Sequence, residues 1–193
     1  MTKRTITEFK AALTGGGARS NLFAVELEFP SSASGVTISD STDTKNSGEF
    51  LVKSAALPAS LITPVEVPFR GRVLKLAGER TFDTWTITVV NDNNFKIRTA
   101  FEQWMNGISK LSDGTGVINP AVYHVDGVKV KQLNRSGEEL RSYKFYGVFP
   151  TNVSQIDLSM DTTDSIQEFT VELQVLYWEL EGTSGNAGAI AIS

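Results

Sequence analysis

From residue 168 to 179 the chain reads Glu-Phe-Thr-Val-Glu-Leu-Gln-Val-Leu-Tyr-Trp-Glu. Phe169, Val171, Leu173, Val175 and Tyr177 fall on one parity, and Thr170, Glu172 and Gln174 on the other. A period of two is the geometry of a pleated strand, whereas a helix would scatter these apolar residues around its circumference. The segment therefore predicts one long strand with a buried face and a wet face, as in an antiparallel sheet. Residues 21–29 repeat the pattern, with Val25, Leu27 and Phe29 inward and Ala24, Glu26 and Glu28 outward. In 84–91, Trp85, Ile87 and Val89 share a face, with threonines between them. Further strands are predicted at 49–57, 63–69, 72–78, 122–134, 138–149 and 153–160. Arg135-Ser-Gly137 is a hairpin signal between 122–134 and 138–149. Pro58, Pro64 and Pro68 mark edge strands or turns, because proline has no N–H to give a ladder.

Helical spacing is strong in one place. Ile97, Phe101, Trp104, Met105 and Ile108 make a single stripe, preceded by the cap formers Asn91-Asp-Asn-Asn94, which predicts a helix over 93–109. A shorter helix is expected over 5–13, carrying Ile6, Phe9 and Leu13 and ended by Gly15-Gly-Gly17, a hinge. Strands do not alternate with helices, so a parallel βαβ fold is disfavoured. The expected class is mainly β: an antiparallel β-sandwich or barrel protomer with one flanking α-helix. Residues 1–180 read as one domain with a long polar insertion loop at 30–48. Residues 181–193 read as a loose C-terminal tail.

Composition removes most chemistry. There is no cysteine, hence no disulfide scaffold, thiolate metal site or thiol nucleophile. The one histidine, His124, sits beside a predicted strand in Val-Tyr-His-Val-Asp and reads as structural. The carboxylate pairs Glu26/Glu28, Glu138/Glu139 and Asp161/Asp164 lie in polar surroundings that would not split their pKa values for acid–base work. Asp113-Gly-Thr-Gly116 lacks the acidic ladder and closing Glu of a calcium loop. Eighteen lysines and arginines against 22 acidic residues give a formal charge of −4, unlike a chain that grips nucleic acid. The basic residues Arg70, Arg72, Lys75 and Arg80 gather near a turn, where they suit acidic partners across an interface. No enzyme, metal or cofactor is expected.

Several stretches, in unbroken order, carry a likeness. Asn21-Leu-Phe23 opens a strand and Ala56-Leu-Pro58 closes another. Leu76-Ala-Gly-Glu-Arg-Thr-Phe-Asp-Thr-Trp85 leads toward the helix, which carries Phe101-Glu-Gln-Trp104. Phe149-Pro-Thr-Asn-Val153 and Gln167-Glu-Phe-Thr-Val-Glu-Leu-Gln-Val-Leu-Tyr-Trp-Glu179 complete it. Over 21–29 and 49–179 the chain resembles the tail tube proteins of contractile-tailed bacteriophages. The resemblance implies a virion protein, assembled in the host cytoplasm, whose copies close into hexameric rings that stack into a hollow tube. It further implies a tail sheath around the tube, baseplate and tape-measure proteins as partners, DNA passing through the bore without specific binding, and no membrane anchor. Six copies at −4 each would carry −24 formal charges, which opposes tight DNA binding. Glu26, Glu28 and Glu172, on wet strand faces, are the candidates for the lumen lining. The alternatives are a single-ring baseplate or terminator paralogue, and a carbohydrate-binding sandwich using Tyr143, Phe145 and Trp178 as its platform.

Overall fold

The structure is a computed structural model describing residues 5–13, 17–30, 48–161 and 163–181. Most of the 30–48 loop and of the C-terminal tail expected from the sequence therefore lies outside the described residues. The elements are α1 (Ile6–Ala12), β1 (Phe23–Glu26), β2 (Val52–Ala55), β3 (Ser60–Phe69), β4 (Arg72–Phe82), β5 (Trp85–Val90), α2 (Lys96–Ile108), α3 (Pro120–Tyr123), β6 (Lys129–Leu133), β7 (Glu139–Tyr146), β8 (Phe149–Val153), β9 (Glu168–Gln174) and β10 (Tyr177–Glu181).

Two four-stranded antiparallel sheets make the body, in the orders β1-β6-β7-β10 and β2-β5-β9-β8. Their inner faces supply the core: Val25, Val130 and Phe145 from the first, and Trp85, Ile87, Val89, Phe169, Val171 and Leu173 from the second. Trp85 stacks on Phe145 across the two sheets at 4.4 Å between ring centroids. The Trp85 indole N–H donates to the Ala56 carbonyl at 2.7 Å, so its one polar atom is satisfied where the ring is buried. Each such side chain contributes on the order of 1.5–3 kcal/mol on burial, before entropy is subtracted.

Helix α2 packs beside β8 and completes the core with Ile97, Ala100, Phe101 and Trp104. Phe29, just past β1, meets Phe101 and Trp104 edge-on at 5.3 and 5.9 Å. The predicted stripe is thus buried over its first three members, while Met105 and Ile108 are half-buried. The helix starts later than expected, at Lys96, because Phe95 adopts a left-handed conformation (φ 53°). Asp92 still caps it, its Oδ1 accepting from the Lys96 N–H at 3.0 Å.

Other expectations need correction. Residues 168–179 are not one strand. β9 ends at Gln174, and β10 begins at Tyr177 in the other sheet. The inward phase resets at this break: Val175 is buried, but Tyr177 is exposed and the half-buried Trp178 takes the inner side. Residues 138–149 likewise divide, with β7 in the first sheet and β8 in the second. The strand expected at 153–160 is the end of β8 followed by irregular chain. Both crossings occur at one corner. Gly147 there has φ +62°, and a Cβ on it would sit 2.7 Å from the Cβ of Leu176. The Leu176 N–H donates to the Tyr146 carbonyl at 3.1 Å and ties the two crossings together. Residues 122–134 begin with the short helix α3, capped by the Asn119 side chain, so the strand there is only β6. Residues 49–57 start as a helical turn before β2. The strands expected at 63–69 and 72–78 are real but longer, as β3 and β4.

Candidate assembly surfaces

Among the described residues β3 and β4 pair only with each other, as a two-stranded sheet separate from the sandwich. The sequence explains the hairpin. Arg70 and Gly71 have φ of 45° and 80°, so Phe69-Arg-Gly-Arg72 is a two-residue turn with both central residues left-handed, the geometry that matches strand twist. In such a turn the flanking pair Phe69–Arg72 exchanges both backbone bonds, so Val67 and Val65 also point their N–H groups inward. Positions 64 and 68 then point outward, where Pro64 and Pro68 leave the ladder intact and remove two donors from the free edge. Nearer the base, a bulge places Gly78 and Glu79 opposite Thr63. A Cβ on Gly78 would lie 2.3 Å from the Thr63 carbonyl oxygen, so this close approach demands glycine.

The hairpin is anchored at its base by Trp178. That indole N–H donates to the Ala59 carbonyl at 3.2 Å, and its ring meets Phe82 edge-on at 6.1 Å. Beyond the base, every residue of β3 is exposed. Register puts Val65, Val67 and Phe69 of β3 on one face with Leu76 and Leu74 of β4. All five are exposed, Phe69 to 68%, so a ribbon of apolar side chains stands in solvent on the isolated chain. Exposed apolar surface of this continuity marks an interaction site. The prolines pointed to edge strands or turns here, but not to the apolar face. Its signal was present in the alternating valines and leucines on both sides of the Arg-Gly turn.

Other surfaces are also unfinished. Helix α1 has a capping box between Thr5 and Glu8, yet Ile6 and Phe9 are exposed to 74% and 64%. The segment after β8 exposes Leu158, Met160 and Ile166. Each sandwich sheet ends on strands with no outer neighbour among the described residues: β1 and β10 in one, β2 and β8 in the other.

The three glutamates singled out by sequence are not brought together. Glu26 lies on the outer face of the β1-β6-β7-β10 sheet, paired with Lys131. Glu28 follows on the same side of the chain, its Cγ beside Gly127. Glu172 is on the outer face of the opposite sheet, across from Thr86 and Asn152. The first face is an ion-pair lattice in which Lys131 also reaches Glu139 at 3.7 Å and Lys129 holds Glu181 at 2.6 Å. The hydrogen bond from Lys129 holds the Glu181 carboxyl below the ordinary glutamate range. The bond to Glu26 pushes the Lys131 ammonium above the ordinary lysine range. The signs differ in consequence. The depressed Glu181 adds stability above its unfolded pKa, and this is lost as pH falls through the folded one. The raised Lys131 adds stability below its unfolded pKa, and this is lost as pH rises through the folded one. We expect Glu181→Gln to flatten the acid limb of the stability profile and leave the alkaline limb unchanged, read by denaturant melts across pH. An unaltered acid limb would contradict the assignment.

The second face carries Thr86, Thr88, Asn152, Thr170, Glu172 and Gln174. No cation pairs with Glu172 among the described residues. The aromatic trio proposed as a sugar platform is packed instead. Phe145 is fully buried, and Tyr143 meets Trp178 edge-on at 5.4 Å. His124 stacks on Phe149 at 5.2 Å.

A family model described as phage tail tube protein matches residues 18–181. The chain belongs to the phage tail tube protein family. Tail tube protein gp19 of Enterobacteria phage T4 is 32% identical over 171 residues, covering 88% of this chain and 96% of that protein. The tail tube protein of Serratia phage KSP90 is 28% identical, covering 88% and 93% respectively. Among solved structures, the fold is similar to a chain of the anti-feeding prophage baseplate, with a TM-score of 0.60 at 13% identity, covering 88% of this chain and 98% of that one. It is also similar to a chain of the sheath–tube complex of an extracellular contractile injection system, with a TM-score of 0.55 at 15% identity, covering 89% and 96%. The protein is a structural subunit of a phage tail tube, and no described helix is long and apolar enough to cross a membrane.

Proposed function

We propose that six copies of this chain close into a ring, and that rings stack into the hollow tube of a contractile tail, within a sheath and above a baseplate. DNA passes down the bore, and the subunit does no chemistry; residues 1–180 act as one tube domain. The exposed β3–β4 hairpin carries this reading. Its apolar face gains nothing in a solitary protomer, and it gains burial when a neighbour covers it. A head-to-tail contact between two different patches closes a ring by rotation. The six-fold symmetrised baseplate that contains a chain of similar fold supports the number six.

For the bore we favour the face of Glu172. Its side chains are mostly short and uncharged, its Glu172 carboxylate is unpaired, and the Lys53 ammonium at its edge is already held by Glu168 at 2.6 Å, so a polyanion meets little free positive charge and DNA slides without sticking. Glu26 and Glu28 then lie on the opposite face, where Lys129, Lys131 and Lys144 would otherwise meet the DNA. Negative-stain microscopy of the concentrated protein should show tubes of constant width, and a near-atomic cryo-microscopy reconstruction of those tubes should place Glu172 at the lumen. Single rings that never lengthen would favour a terminator role. A monomeric sedimentation profile at every concentration would overturn the reading.

A further inference from the structure

We propose that the tip of the β3–β4 hairpin of one copy docks on the acidic segment between β8 and β9 of a neighbouring copy. This rests on the tube reading above and identifies one of its contacts. Residues 60–82 carry Arg70, Arg72, Lys75 and Arg80 against Glu66 and Glu79, so four cations less two carboxylates leave +2 on a chain whose total is −4. Residues 154–167 carry Asp157, Asp161 and Asp164 and no lysine or arginine, hence −3. Lys75 pairs with Glu66 at 3.4 Å. Among the described residues, no carboxylate pairs with Arg70, Arg72 or Arg80, and no cation pairs with the three aspartates. Two opposite charge clusters thus stand unpaired on different parts of one chain, which is the arrangement a heterologous contact uses.

Apolar groups accompany both clusters. Phe69 at the tip is exposed, and so are Leu158, Met160 and Ile166 on the segment, Met160 fully. Arg70 occupies a left-handed position where Asn, Asp or Gly is the usual occupant. Its guanidinium lies over the Phe69 ring at 5.4 Å, which sets the charge beside the apolar tip. A non-glycine residue held in this sparsely populated region at an exposed tip fits a role in contact.

The test uses the full chain in three forms: Arg70→Glu with Arg72→Glu; Asp157→Lys with Asp161→Lys and Asp164→Lys; and all five together. Circular dichroism melts should match the parent for each. Each one-sided variant should need roughly ten-fold or more protein to form tubes, matching the loss of one charge-pair contact of about 1.4 kcal/mol. The combined variant should recover assembly, since reversal of both sides restores the attraction. As a second measurement, the cysteine-free chain permits Arg72→Cys with Asp161→Cys. Oxidation of its assembled form should give a ladder of covalent multimers, and neither single substitution should go beyond dimers. Parent tubes with one-sided variants that assemble at the parent concentration would overturn the docking and leave the tube reading standing, the tip then serving some other protein. A combined variant that folds but does not recover, or the lack of a ladder, would also overturn the docking. A parent chain that never assembles would overturn the tube reading itself.

Discussion

Changing Val65, Val67, Leu74 and Leu76 together to threonine should abolish tube formation and leave the protomer folded. The four side chains share one face of β3–β4 and are exposed in the isolated chain. Threonine is β-branched, a shape that suits a strand at all four positions, so the hairpin should persist. Surface substitutions that touch no packed neighbour usually change stability by less than about 0.5 kcal/mol each. In an assembled contact the same side chains lose water. If each contributes about 1 kcal/mol, part of the 1.5–3 kcal/mol of full burial, the four together account for about 4 kcal/mol. That weakens each contact roughly a thousand-fold, and a tube made of repeated contacts does not grow against it. Thermal melts, sedimentation and microscopy of the same preparation read both halves of the expectation. Tubes of ordinary length from the variant would show that this face is not an interface.

Gly147→Val should have the largest effect on folding itself. Gly147 turns the chain from β7 in one sheet to β8 in the other, at φ +62°. An L side chain held left-handed costs about 1–2 kcal/mol. The added Cβ would also meet the Leu176 Cβ at 2.7 Å, at the point where β9 gives way to β10. Neither atom is the far end of a flexible side chain, so the strain adds about 1–3 kcal/mol of overpacking. A total near 3 kcal/mol would lower the melting temperature by about 10 °C in a chain of this size. Gly71→Val makes the comparison. It has the same sign of φ but nothing within 4 Å of its Cβ position, so only the conformational part of the loss should appear. Equal losses at the two positions would show that the corner contact contributes nothing.

The strand signals that held were those with one buried face. Trp85, Ile87 and Val89 are buried as their alternation demands, and so are Val25, Leu27 and Phe29, although the strand expected over 21–29 is shorter and β1 ends at Glu26. The signals that misled came from periodicity running through a change of partner. Val175 and Tyr177 share a parity, but the chain bends at Leu176 and changes sheet, so the first is buried and the second exposed. A pattern of side chains records which face is apolar along the chain. It does not record which strand lies alongside. The same limit applies to the glutamates: Glu26 and Glu172 have equivalent wet-face patterns, yet they lie on opposite outer faces of the sandwich.

Local chemistry alone determined the mainly β class, the helix stripe of Ile97, Phe101 and Trp104, the hairpin at Arg135-Ser-Gly137 and the absence of thiol chemistry, because each depends on residues close in the chain. The ordered run of motifs likewise determined the family. Only the tertiary structure decided that the valines and leucines of β3 and β4 stay in water while those of β5 and β9 are buried. Both pairs of strands carry apolar faces, and burial depends on what distant segments bring to cover them. Nothing within the described protomer covers the hairpin.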